Sequence, residues 1–131
     1  MKNIYFLGNE DVEIDNQATN VLKHLKPIND TIYVHIKPND DIPSEDFLII
    51  VDTVVGIDKI VQITEENLSQ FTLPPRTSAH DYDLGFQLRY LHKIGKVKHF
   101  TIIGIPPSSS PDYDLIHSIL RKLVAHDIQG S

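Results

Sequence analysis

The sequence contains no cysteine. Disulfides, thiolate metal sites and a catalytic thiol are therefore all excluded, and a reducing compartment is permitted. Long apolar runs are missing as well. The opening "MKNIYFLGNE" holds only a short apolar run before Gly8 and the charged residues that follow, too little for a signal peptide or a membrane span, and no later segment approaches twenty apolar residues. No membrane association is expected, and cytoplasm is the default compartment. Positive charge is in deficit: 12 Lys and Arg stand against 18 Asp and Glu, a formal net charge of −6. A nucleic-acid partner is not expected, because phosphate contacts need clustered Lys and Arg. The one basic cluster, "LHKIGKVKHF", reads first as the end of a helix, where lysines complement the helix dipole. Several catalytic signatures are missing too. There is no HExxH, no GxSxG, no GxGxxG and no P-loop lysine after Gly8. Repeats and low-complexity tracts are likewise absent, so the 131 residues are expected to form one domain, 1–131.

What is present is an alternation of strand-length apolar runs with stretches of helical period, the pattern of an α/β layer architecture. "NIYFLG" predicts a first strand. From Ile14, apolar residues recur at Ala18, Val21, Leu22 and Leu25 until Pro27 stops the pattern, which predicts a first helix. "TIYVHI" predicts a second strand. "FLIIVDTVV", continuous rather than alternating, predicts a central strand covered on both faces. "KIVQIT" is expected to lie beside it as an antiparallel neighbour, turned through Gly56. Leu84, Leu88, Leu91 and Ile94 predict a second helix stopped by Gly95. "HFTIIGIPP" predicts a last buried strand, and Leu115, Ile119, Leu120, Leu123 and Val124 the face of a final helix. Ser108 to Ser110 and Asp112 read as a loop capping that helix. His24, His92, His117 and His126 read as solvated helix residues.

In open α/β sheets ligands bind beyond the carboxyl ends of parallel strands. "GNEDVEID" follows the first strand, Asp52 and Thr53 end the third, and "TSAHD" precedes the second helix, so Asp15, Asp52 and His80 are candidates to converge. Two carboxylates and an imidazole suit a borderline divalent ion such as nickel, zinc or ferrous iron. Asp52 is the most telling of the three, because a carboxylate ending an apolar strand is costly unless paired, hydrogen-bonded or coordinated. Structural duties fit the same residues: an N-cap at Asp15, bonds from loop amides to Asp52, and a helix start at His80. At the level of the residues both readings stand. A phosphoacceptor receiver domain is a further reading of Asp52 with Glu10 and Asp11, but "TIIGIPP" lacks the lysine it would need.

In order and spacing, "FLGNEDVEID", "FLIIVDTVVG", "SAHDYDLGFQLRYL" and "FTIIGIPPSS" resemble the hydrogenase maturation endopeptidases, which trim the C-terminal extension of the nickel–iron hydrogenase large subunit. The resemblance runs through nearly the whole chain. It implies a three-layer α/β fold, with a twisted, mostly parallel five-stranded sheet flanked by helices. Asp15, Asp52 and His80 would be both the metal ligands and the catalytic residues of an aspartyl-type or metal-dependent endopeptidase. Nickel would arrive with the large-subunit precursor, its partner, and zinc or cadmium would be able to take its place in a crystal. A divalent ion there polarises the scissile carbonyl without cysteine or serine. His80 must be neutral to ligate, which a helix N-terminus favours, and Asp81 or Asp83 would accept from its other ring nitrogen. The chain departs from the family's pattern in two places. Its first ligand is aspartate where glutamate is common, shorter by about 1.5 Å, and "HIKPNDDIP" stands where many members carry a glycine-rich acidic loop. A non-catalytic homologue that binds nickel or the precursor is the alternative.

Overall fold

A computed structural model describes residues 1–8, 17–37, 40–71, 84–107 and 110–130, without the side chains of 128–130. Its elements run β1 (Lys2–Leu7), α1 (Gln17–His24), β2 (Thr31–Ile36), β3 (Phe47–Thr53), β4 (Val61–Thr64), a 3₁₀ turn (Leu68–Gln70), α2 (Leu84–Lys93), β5 (His99–Ile105) and α3 (Tyr113–Gly130). The sheet has five strands in the order β2-β1-β3-β5-β4. β1 pairs in parallel with β2 and β3, and β3 in parallel with β5, from Phe47 opposite His99 to Thr53 opposite Ile105.

The continuous apolar runs are explained by burial on both faces. Leu48, Ile50 and Val54 pack on one side with Tyr5, Leu7, Phe100 and Ile102, under Leu84 and Leu88 of α2. Ile49 and Val51 pack on the other with Ile4, Phe6, Ile103 and Ile105, against Ala18 and Val21 of α1 and Ile116, Leu120 and Val124 of α3. The three layers expected from the sequence are thus observed.

Three expectations need correction. "KIVQIT" forms an antiparallel strand, but its neighbour is β5, with Val61 opposite Gly104 and Thr64 opposite Thr101. β3 already has β1 on one edge and β5 on the other, so β4 has no place beside it and pairs instead with the far edge of β5. The final helix buries Ile116, Leu120 and Val124, an i, i+4, i+8 set, while Leu115 is exposed. Ile94 lies past the end of α2 and is exposed, because Gly95 turns there with φ 80° and the Lys96 and Val97 amides both donate to the Leu91 carbonyl. Val97 takes the buried position instead.

Asp112 performs the capping role expected of it: its Oδ1 accepts from the Leu115 amide at 3.1 Å. Asp112→Ala is expected to cost about 1 kcal/mol, read as a lower thermal midpoint with unchanged helix content in the folded baseline. Three of the four helical histidines also bond to the backbone. His24 Nδ1 donates to the Asn20 carbonyl, His92 Nδ1 to that of Val97 and His117 Nε2 to that of Pro27.

At the amino end of β5, His99 Nδ1 lies 2.7 Å from Glu65 Oε1, and the Phe100 amide donates to Oε2 at 3.2 Å. Partial burial alone would push the Glu65 carboxyl up, but the hydrogen bonds from His99 and the backbone outweigh it, and the group sits below the ordinary 4.5. A carboxyl depressed in the folded state stabilises the fold above its unfolded pKa, and that stability is lost as pH falls through its folded value. Glu65→Gln is therefore expected to flatten the decline in thermal midpoint below about pH 5. An unchanged acid limb would refute this role.

Candidate functional site

The strand order places a topological switch point between β1 and β3. The chain leaves β1 for β2 on one side of the sheet and leaves β3 for β5 and β4 on the other. Crevices form beyond the carboxyl ends of strands at such a point. Here those ends carry Leu7 and Gly8 on one strand and Asp52 and Thr53 on the other.

Asp52 is 4% exposed. Strand alternation puts it on the side of Leu48 and Ile50, the face that α2 covers. Its Oδ1 accepts from the Thr53 amide at 2.8 Å, which sets the orientation of the carboxylate and offsets part of its desolvation. Thr53 faces the α1 layer, and its buried Oγ1 has no hydrogen-bond partner among the described residues. Asp15 and His80 lie outside the described residues, as do Asp81 and Asp83. Among the described residues no group of three His, Asp or Glu is placed to hold a metal ion.

Three residues not singled out in the sequence organise this end of the sheet. His35 of β2, opposite Phe6, directs its ring across the edge so that Nε2 donates to the Gly8 carbonyl at 3.1 Å. Gln17, the first residue of α1, donates through Nε2 to the carbonyls of Pro106 and Pro107 at 3.4 and 3.3 Å. Together they tie β2 to the end of β1 and α1 to the end of β5. Gly104 lies opposite Asp52, where a Cβ would come within 2.6 Å of Val54 Cγ2 and 2.9 Å of Val61 Cγ2. The glycine of "TIIGIPP" is thus required by close packing around the strand that carries Asp52, and the Val54 amide continues that pairing by donating to the Ile105 carbonyl. A signal for His35 was present in the alternation of "TIYVHI", whereas Gln17 and Gly104 act through contacts distant in sequence.

Residues 37–130 match the family described as HycI, hydrogenase maturation protease. The chain belongs to the hydrogenase maturation protease family. The match includes Asp52 and His80 and begins after Asp15. As a family member the protease is a peptidase, and its part in the cell is hydrogenase maturation. Among solved structures, it is similar to the hydrogenase maturating endopeptidase HybD from E. coli, with 19% identity and a TM-score of 0.63 over 99% of this chain and 94% of that one. It also resembles an endopeptidase from Escherichia coli, with 16% identity and a TM-score of 0.56 over 95% and 90% of the two chains. At these identities the likeness is one of fold. No curated protein sequence matches the chain. The fold also removes the receiver reading, since receiver-type sheets run 2-1-3-4-5 whereas here β5 precedes an antiparallel β4 at the edge. Among the described residues no helix is long and apolar enough to cross a membrane.

Proposed function

We propose that the protease is a metal-dependent endopeptidase that removes the C-terminal extension of a nickel–iron hydrogenase large-subunit precursor after nickel insertion, recognising nickel carried by that substrate. The observation that carries this reading is the buried carboxylate of Asp52 at the carboxyl end of β3, beside the switch point. In this reading Asp15, Asp52 and His80 meet the nickel borne by the precursor, a donor set suited to a borderline divalent ion. Nickel contributes Lewis acidity at the scissile carbonyl. The contribution of the chain is orientation: the Thr53 amide holds Asp52 Oδ1, and β1 and β5 clamp the strand that carries it. Hydrolysis adds water to the carbonyl carbon, breaks the C–N bond and delivers a proton to the departing amine.

The test is incubation with nickel-loaded and nickel-free precursor, followed by mass spectrometry. Loss of the extension from the loaded form alone is expected. Equal cleavage of both forms overturns nickel recognition. A loaded precursor that is bound but left intact identifies a non-catalytic homologue.

A further inference from the structure

Helix α2 is apolar on two faces. Leu84 and Leu88 are fully buried in the core, and Leu91 packs against it. On the opposite side Phe86 is 49% exposed, Tyr90 56% and Ile94 45%. These three are spaced i, i+4, i+8, and the Ile94 amide donates to the Tyr90 carbonyl, so Ile94 keeps the helical phase although it follows the last residue of α2. Large side chains aligned on an exposed helix face mark an interaction surface.

The charge around the stripe selects the partner. Residues 84–98 carry Arg89, Lys93, Lys96 and Lys98, four of the chain's 12 basic residues, and no Asp or Glu, in a protein of net charge −6. Lys98 is engaged by Asp46 at 3.8 Å, which leaves exposed Arg89, Lys93 and Lys96 beside Tyr90 and Ile94. A second copy docking through this face about a two-fold axis would set these cations against themselves. The face therefore suits a different molecule, apolar at its centre and acidic at its rim. The helix that carries this face also covers the site from its other side: buried Leu84 and Leu88 pack on Leu48, Ile50 and Val54, the strand face from which Asp52 projects.

We infer that the outer face of α2, through Tyr90, Ile94, Arg89 and Lys93, is the docking surface for the folded hydrogenase large-subunit precursor, which meets it with an acidic-rimmed apolar patch. This rests on the proposed precursor as substrate, but not on nickel recognition or on the assignment of the ligands.

The experiment measures binding of a purified nickel–iron hydrogenase large-subunit precursor from the same organism to the Asp52→Asn protein by calorimetry, with and without Tyr90→Asp or Lys93→Glu. Each change is expected to raise Kd at least about tenfold, and binding is expected to weaken with salt. In the otherwise wild-type protein the same changes raise KM with kcat kept within about twofold. Both positions are exposed, so thermal midpoints are expected to stay unchanged; where Tyr90→Asp lowers its midpoint, Lys93→Glu carries the test. The proposal is overturned by an unchanged Kd in the variant that keeps its fold, by no binding of the precursor, by binding to phosphatidylglycerol vesicles in its place, or by a dimer that Tyr90→Asp dissociates. Precursor that docks through α2 but is not cleaved overturns the peptidase reading of this site and leaves the docking surface standing.

Discussion

On the proposed role of Asp52 as a ligand to the substrate's nickel, Asp52→Asn is expected to lower kcat/KM for removal of the C-terminal extension by about a thousandfold, or about 4 kcal/mol, because charge stabilisation by the metal is lost with its ligand. The fold should survive the change. The amide oxygen of asparagine accepts from the Thr53 amide as Oδ1 does at 2.8 Å, and the substitution removes a charge from a position only 4% exposed. Its effect on stability is therefore expected to stay within about 1 kcal/mol. Two measurements separate chemistry from folding: the rate of extension loss followed by mass spectrometry, and the thermal midpoint followed by circular dichroism. A variant that processes the precursor at near the wild-type rate would remove Asp52 from the site. A variant that loses activity and midpoint together would make it a structural residue of β3.

Gly104→Ala is expected to destabilise the fold by about 1 to 3 kcal/mol, the usual range for overpacking a core. The added methyl meets Val54 Cγ2 at 2.6 Å and Val61 Cγ2 at 2.9 Å, and both neighbours are held on either side of β5, Val54 by its amide bond to the Ile105 carbonyl and Val61 by strand pairing. Gly104→Val should cost more. The diagnostic partner is Val54→Ala, which opens space on the more crowded side. On its own it loses buried methyl groups, but combined with Gly104→Ala it is expected to cost less than the sum of the two, with a coupling of about 1 kcal/mol or more. Additive effects in denaturant titration would show that the clash is absorbed elsewhere. Because Gly104 faces Asp52 across the β3–β5 pairing, processing should fall with the single change and recover in part with the double.

Much of the architecture was legible because burial leaves a period in the sequence. "FLIIVDTVV" and "HFTIIGIPP" are continuous because β3 and β5 are covered on both sides, and α1 shows its buried Ala18 and Val21 at helical spacing. Asp52 was legible for the opposite reason: a carboxylate at the end of such a run requires a compensating partner. The neighbour of "KIVQIT" was not legible, since the local pattern of a strand does not say which edge of the sheet it joins. Nor was the buried face of α3, where apolar residues at 115, 116, 119, 120, 123 and 124 support two adjacent helical faces and only packing on the sheet selects Ile116, Leu120 and Val124.

The sequence by itself determined the element types, the layered α/β class, the capping of α3 by Asp112 and the Asp15, Asp52 and His80 candidates, because propensity, periodicity and side-chain chemistry are local properties. Tertiary structure alone decided that Asp52 stands at a switch point, that Gly104 must lack a side chain to admit Val54 and Val61, and that His35 holds Gly8. It also turned the Phe86, Tyr90 and Ile94 side of α2 outward among cations, by committing Leu84 and Leu88 to the core. These features depend on contacts between segments far apart in the chain, which no local pattern encodes.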